Sequence, residues 1–430
     1  MLSLDDLYNL FRKFPLISTD SRSIAPGSLF FALKGNQFDG NLFAMESINL
    51  GAAFAITDNP DLQSHERILL VENVLEALQK LALNHRKHIK ARIIAITGSN
   101  GKTTTKELIG KVLGSSYNTI ITQGNLNNHI GVPLTLLSIK DNTDIAVIEM
   151  GANHQGEIAA LCQIASPNYG LITNIGKAHL EGFGGYKGVI KAKSELYDFL
   201  KAHQGIVFYN MDDDLLSNLS AGLNRVSYGL NTNANCSCTL IESEPFLCLK
   251  WFNTKQSGIV NTSLYGDYNI ENVIASICIG AYFEIDPNRI QDAIASYVPE
   301  NNRSQVIKTK RNQIISDAYN ANPSSMKAAI SHFSRMNAEN KLLILGDMME
   351  LGEFSFVEHE NIILLTRELG FNQVILVGEM FCQVAKDGSE NCFNSTADAA
   401  SWLNRQQIQN MTILVKGSRK MQLENLRKYL

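Results

Sequence analysis

Short apolar runs separated by longer mixed segments set the pattern of this chain from residue 92 onward. The runs at 92–97, 144–149, 169–174 and 205–210 are apolar at most positions, as expected of strands buried on both faces, and helical segments stand between them. That alternation predicts a mostly parallel α/β sheet. Ahead of it, short strands at 28–33, 53–57 and 67–71, with helices around 41–50 and 73–88, predict a small α/β unit. Behind it, 236–242, 246–252 and 258–264 read as a strand-rich excursion, closed by helices near 269–283 and 287–297. Pro299-Glu300-Asn301-Asn302 reads as a hinge. Strands at 313–317, 341–346, 373–378 and 412–416 then alternate with helices in a second doubly wound, Rossmann-like unit. The pattern predicts three α/β domains, at 1–90, 91–304 and 305–430.

The first of the central runs changes the picture most. Ile93 to Ile96 leads into the small-residue turn Thr97-Gly98-Ser99-Asn100-Gly101, and a helix is predicted to open at Lys102-Thr103-Thr104. A strand, a glycine turn and a helix N-terminus form an anion site: backbone N–H groups converge, the helix dipole favours negative charge and a lysine adds a full charge. Thr103 can offer a hydroxyl to Mg²⁺. The full phosphate-loop pattern needs glycine at 96, where this chain has Ile96, so the loop is a shortened variant. An ordinary turn is the alternative.

Ligands of open parallel sheets bind beyond the carboxyl ends of the strands. The second run ends at Glu149 and the third leads into Lys177-Ala178-His179. A carboxylate at the end of a buried strand carries a heavy desolvation cost unless a cation such as Mg²⁺ partners it; a salt bridge or a helix cap is the alternative. His179 reads either as a packed residue or as a metal or substrate group. At ~100° per residue, Lys193 falls in the apolar sector of its helix with Val189, Ala192, Leu196, Phe199 and Leu200, whereas Lys191 points away. Lys193 either snorkels or is functional. Asn125 and Asn127 lie in a polar loop before an apolar helix, and Asp20-Ser21-Arg22 offers a hydroxyl and an arginine fork suited to phosphate, or a capped turn.

Composition narrows the classes. Lys and Arg number 38 against 42 Asp and Glu, a net charge of −4, so nothing predicts a nucleic-acid partner. Hydrophobic residues at 45% and charged residues at 19% are ordinary for a soluble globular chain. No apolar stretch approaches ~18 residues, so no membrane span is predicted. The first residues lack the basic flank and apolar core of a signal peptide. Seven cysteines are scattered without framework spacing, which predicts a reduced, cytoplasmic protein. Cys236, Cys238 and Cys248 could bind a metal, but hairpin packing is the stronger reading.

Taken together, Thr97 to Thr103, Asn125 to Pro133, Glu149-Met150-Gly151, Asn174 to His179, Lys193 in Ala-Lys-Ser-Glu-Leu and Asn269 resemble the Mur ligase family, across nearly the whole chain. The stretch from Asp317 to Met326, with Leu345 to Gly352, resembles the branch that joins D-alanyl-D-alanine to UDP-N-acetylmuramoyl tripeptide. The chain departs from that branch at Asn41, where histidine is common, and at Asn302, where glycine is common. The resemblance implies an ATP- and Mg²⁺-dependent amide ligase, a cytoplasmic monomer acting through an acyl phosphate. It implies that Ser21 and Arg22 hold the UDP end and that Gly98, Ser99, Asn100, Gly101, Lys102, Thr103 and Thr104 hold phosphates. Thr103, Glu149, His179 and a carbamylated Lys193 would serve metal. Asn269, Arg303 and Asp317 would serve the nucleotide, and Asn125, Asn127, Tyr319 and Asn322 the substrate. Rival readings are a folylpolyglutamate-type ligase and, from a different class, a non-catalytic nucleotide switch.

Overall fold

The computed structural model describes residues 2–62, 65–300, 302–385 and 391–430. Met1 and the hinge residue Asn301 lie outside the described residues. Three sheets carry the fold. The first is four-stranded and parallel, ordered Ile17–Ser18, Leu29–Phe31, Phe54–Thr57, Ile68–Leu70. Helix Leu4–Lys13, absent from the sequence reading, packs beside helix Val74–His88. Ser3 caps it by accepting from Asp6 N, and Leu7 and Phe11 are its buried residues.

The central sheet has nine strands, ordered Ser257–Asn261, Cys248–Asn253, Cys236–Glu242, Asn224–Gly229, Ile206–Asn210, Tyr169–Ile172, Arg92–Thr97, Ile145–Glu149, Thr119–Ile121. The predicted excursion is therefore no separate unit. It extends the parallel sheet through Asn224–Gly229, and only its last two pairings are antiparallel. Along Arg92–Thr97 the faces alternate, with Ile93 and Ala95 in one core and Ile94 and Ile96 in the other. Burial on both faces explains the unbroken apolar run, each isoleucine contributing roughly 1.5–3 kcal/mol. Ile96 pairs with Glu149 and Thr97 with Ile172, which brings three strand ends level at one edge.

The third sheet is ordered Gln305–Lys308, Gln313–Asp317, Thr412–Lys416, Lys341–Gly346, Val374–Val377, Asn391–Phe393, antiparallel in its first pair and parallel thereafter. At its entrance Asn302 holds φ +57°, a left-handed backbone that suits asparagine nearly as it suits glycine. Asn302 in place of the family's glycine thus keeps the bend. The expectation of uniformly reduced cysteines is corrected here. Cys382 of helix Glu379–Val384 and Cys392 of strand Asn391–Phe393 form a disulfide, their Cα atoms 5.6 Å apart, because the helix returns alongside the next strand. Cys162, Cys236, Cys238, Cys248 and Cys278 are free thiols. No helix among the described residues is long and apolar enough to cross a membrane.

Candidate active site

The level strand ends open into a cleft of about 810 Å³ between the central and last sheets. Its floor is the turn at 97–101. Gly98 has φ +142° and a Cβ there would lie 2.0 Å from Thr173 Oγ1; Gly101 has φ +77° and a Cβ would lie 2.4 Å from Asn272 Oδ1. Both positions require glycine. The loop is bonded to the neighbouring strand end: Ser99 N donates to Asn174 O at 2.9 Å, Asn100 N to Asn174 Oδ1 at 3.0 Å and Thr173 Oγ1 to Asn100 O at 2.6 Å. Lys102 opens helix Lys102–Gly114 and its Nζ donates to Gly98 O at 2.7 Å and Ser99 O at 3.2 Å. Burial lowers its pKa, while the Glu149 charge opposes that shift. Thr103 and Thr104 are buried at the same helix start and line the cleft.

Glu149 is 1% exposed. Asn127 Nδ2 donates to its Oε1 at 2.8 Å, whereas Oε2 is buried without a hydrogen-bond partner. The nearest cation is Lys106, 1% exposed, whose Nζ lies 3.9 Å from Oε2 and donates to Gly124 O at 3.3 Å. A buried carboxylate with one oxygen free of hydrogen bonds, facing a cleft that Thr103 also lines, fits a hard cation. Among the described residues no group of three or more His, Cys, Asp or Glu forms a metal cage.

His179 lines the same cleft, with φ +51° and Nδ1 in ion-pair contact with Glu350 of the last domain. That contact holds the Glu350 carboxyl below its ordinary range. Lys193 is 2% exposed, and its Nζ lies 5.3 Å from the centre of the Phe183 ring. Burial, aided by the positive charge of Lys102, lowers its pKa to about 7. Val189, Ala192, Leu196, Phe199 and Leu200 are buried beside it while Lys191 is exposed, as the helical phase predicts. Lys193 is nevertheless outside the lining of the cleft, which includes His179.

From the other side, Asn322 Nδ2 donates to Asn100 Oδ1 at 2.8 Å, tying the last domain to the phosphate loop. Asn322 also caps helix Pro323–Arg335 in a reciprocal capping box with Ser325. The Arg303 guanidinium sits 3.6 Å from the Tyr319 ring centre. Asp317 accepts from Ser304 N at 3.1 Å and from Lys416 Nζ at 2.5 Å. Asn269 is 3% exposed, donates to Tyr265 O and accepts from Asn272 Nδ2, both at 2.8 Å, so its amide anchors the helix start as well as lining the cleft. Asn125 lines the rim.

The cleft thus gathers the predicted residues from Ser99 to Thr104 with Asn125, Asn127, Glu149, His179, Asn269, Arg303, Asp317, Tyr319 and Asn322. Ser21 and Arg22 are elsewhere, on the first domain, where the arginine fork closes on Asp20 at 2.9 and 2.7 Å. Lys106, Asn174, Glu350 and Lys416 carry contacts that the sequence reading assigned to no role. The spacing of Lys106 from Lys102, one helical turn, was the one available signal.

Family models align along most of the chain: the Mur ligase family catalytic domain over residues 13–86, the Mur ligase middle domain over 96–280 and the Mur ligase glutamate ligase domain over 302–419. The UDP-N-acetylmuramoyl-tripeptide–D-alanyl-D-alanine ligase of Bacillus subtilis is 34% identical over 428 residues, covering 96% of this chain and 92% of the relative. The chain belongs to the Mur ligase family. Among solved structures, MurF of Acinetobacter baumannii superposes with a TM-score of 0.86 at 33% identity, covering 96% of this Mur ligase and 92% of that chain. MurF of Thermotoga maritima, solved with ADP, gives 0.85 at 26% identity over 100% and 98%. The three-domain α/β architecture is the one these relatives share.

Proposed function

We propose that this Mur ligase joins D-alanyl-D-alanine to UDP-N-acetylmuramoyl tripeptide at the expense of ATP, in peptidoglycan-precursor synthesis, as a cytoplasmic monomer with domains at 1–90, 91–304 and 305–430. The observation that carries the reading is the near-full-length identity to ligases of that name, joined to a cleft in which the 317–322 stretch faces the phosphate loop. A folylpolyglutamate-type ligase has no use for the four-stranded first domain, and a nucleotide switch has none for Glu149, His179 and Lys193 together.

The chemistry follows from the poor reactivity of a carboxylate toward amines. One oxygen of the tripeptide carboxylate attacks the γ-phosphorus of ATP, the bond to the β-phosphate oxygen breaks and ADP leaves. The D-alanyl-D-alanine amine then attacks the acyl-phosphate carbonyl, loses a proton and expels inorganic phosphate. Lys102 and the amides of Gly98 to Lys102 would hold the transferring phosphates, with donors fixed before substrate arrives. Thr103, Glu149 and His179, with a Lys193 carbamate, would hold Mg²⁺, which when bound neutralises anions that otherwise repel. Arg303, Asp317 and Asn269 would fix the nucleotide, and Asn125, Asn127, Tyr319 and Asn322 the acceptor end. Ser21 and Arg22 would take the diphosphate of UDP once the fork leaves Asp20. The carbamate is implied by the family resemblance and supported by a nearly dry lysine whose burial outweighs the nearby charges of Glu157 and Glu195.

The test is phosphate release from ATP. It should require both the UDP-muramoyl tripeptide and D-alanyl-D-alanine. Release that needs neither, or extension of a folate, would remove the assignment.

A further inference from the structure

Where the chain passes from the central to the last domain it bends twice. Asn302 and Ser304 both hold left-handed backbones, φ +57° and +52°, on either side of Arg303. Outside glycine such conformations persist where the surroundings over-determine them. Here the end of strand Gln313–Asp317 does so. Ser316 Oγ donates to Asn302 Oδ1 at 3.0 Å, Tyr319 N donates to Asn302 O at 3.2 Å, and Ser304 N donates to Asp317 Oδ1 at 3.1 Å. The double bend sets Arg303 over the Tyr319 ring and leaves Ser304 7% exposed, its hydroxyl 2.8 Å from the Tyr268 hydroxyl. Tyr268 belongs to the turn Asp267–Asn269 of the central domain. Tyr268, Asn269, Ser304 and Asp317 all line the cleft.

We propose that Tyr268 and Ser304 are positioning residues for the nucleotide: the bond between their hydroxyls fixes the span between Asn269 on the central domain and Asp317 on the last. Each hydroxyl stands next to a group that would touch the nucleotide. Tyr268 immediately precedes Asn269 in the chain, and Ser304 bonds Asp317 through its own N–H. Lys416 Nζ lies 2.5 Å from Asp317 Oδ2, so both oxygens of that carboxylate are held. Groups set at the right separation beforehand spare a ligand the cost of ordering them. The bridge crosses the domain boundary, so the span is set only when the last domain is docked. This inference rests on the functional reading above, which gives Asn269 and Asp317 to the nucleotide.

The test is calorimetric binding of ADP with Mg²⁺ to the full-length protein, as wild type, Tyr268→Phe, Ser304→Ala and the double variant. Each single change deletes one hydroxyl. The domains remain tied by Asn322 to Asn100 at 2.8 Å and by Arg335 to Asp267 at 2.9 Å, so the fold should survive, as thermal melting will verify. Each single variant should weaken Kd for ADP about 3–10-fold, the effect of ordering one or two side chains on binding instead of beforehand. The double variant should bind within about twofold of the weaker single, since the same bond is lost in all three. In turnover, KM for ATP should rise with Kd, while kcat at saturating ATP stays within about twofold of wild type. A Kd within about twofold of wild type in either single variant overturns the proposal. So do losses that multiply in the double variant, which would make the two hydroxyls act independently, and a fall in kcat at unchanged Kd. A wild type that binds ADP yet makes no pentapeptide product would refute the functional reading, while the binding cycle still decides the bridge.

Discussion

Lys102 and Lys193 are both lysines of the central domain held away from bulk water, and they are held in opposite ways. The Lys102 ammonium rests on two carbonyls of its own loop, at 2.7 and 3.2 Å, so its charge is compensated by groups that a phosphate can replace. Lys193 has a ring 5.3 Å away and lies 2% exposed, and the charges of Glu157 and Glu195 offset its burial only in part. The first arrangement stores a cation for an anion. The second makes the ammonium form costly and the neutral amine accessible near pH 7, the form that reacts with CO₂. Polar groups bonded to backbone mark where this protein binds; a buried oxygen left bare, such as Glu149 Oε2, marks where a further group belongs.

Substitution separates the two lysines. Lys102→Ala should lower kcat/KM for ATP by about 10²–10³-fold, the usual effect of removing a preorganised donor to a developing anion, with little change in thermal midpoint. Near-normal turnover at saturating ATP would take Lys102 out of the mechanism. Lys193→Ala should be slower by about 100-fold and partly rescued by acetate, which can stand in for a carbamate. ¹³C-bicarbonate should give the wild type a carbamate signal that the variant lacks; an ordered, active enzyme without that signal would leave Lys193 a plain amine. Arg22→Ala should raise KM for the UDP substrate roughly tenfold by losing a charge-assisted bond, without affecting kcat. An unchanged KM would reassign the Asp20–Arg22 fork to the surface.

Stability sharpens the same contrast. Unfolded, Lys193 stays protonated up to about 10.5; folded, it releases its proton near 7. Between those values the unfolded chain binds more protons, so this residue makes stability rise with pH, by at most about 1.4 kcal/mol per unit. Below pH 7 both states are protonated and the slope vanishes. Relative to Lys193→Met, wild type should gain thermal midpoint from pH 7 to pH 9; parallel curves would contradict a depressed pKa. Asn322→Ala, which removes a helix cap and the bond to Asn100, should cost only about 1 kcal/mol, read by denaturant unfolding.

Sequence pattern revealed the central strands because burial on both faces leaves short apolar runs, here bounded by turn residues and followed by helical segments. It passed over Thr119–Ile121, Asn224–Gly229, Gln305–Lys308 and Asn391–Phe393, which are short or mixed in polarity and owe their existence to a paired neighbour. The phosphate loop was legible since its glycines, lysine and threonine are contiguous. Glu350 was not: its partner lies 171 positions away, at His179, and only the docking of two domains joins them. Lys106 was hidden for a similar reason, its role depending on Glu149 in another strand. Arg22 was legible as an anion-binding fork but not as one closed on its neighbour, because a free and a paired arginine read alike in sequence.

The central claim is that the cleft activates a carboxylate by phosphorylating it. A UDP-muramoyl tripeptide bearing ¹⁸O in both oxygens of its terminal carboxylate, turned over with ATP and D-alanyl-D-alanine, tests this directly by mass spectrometry. The account predicts one labelled oxygen in the released inorganic phosphate and the other retained in the new amide. Unlabelled phosphate beside a labelled amide product, or label found in AMP, would contradict it.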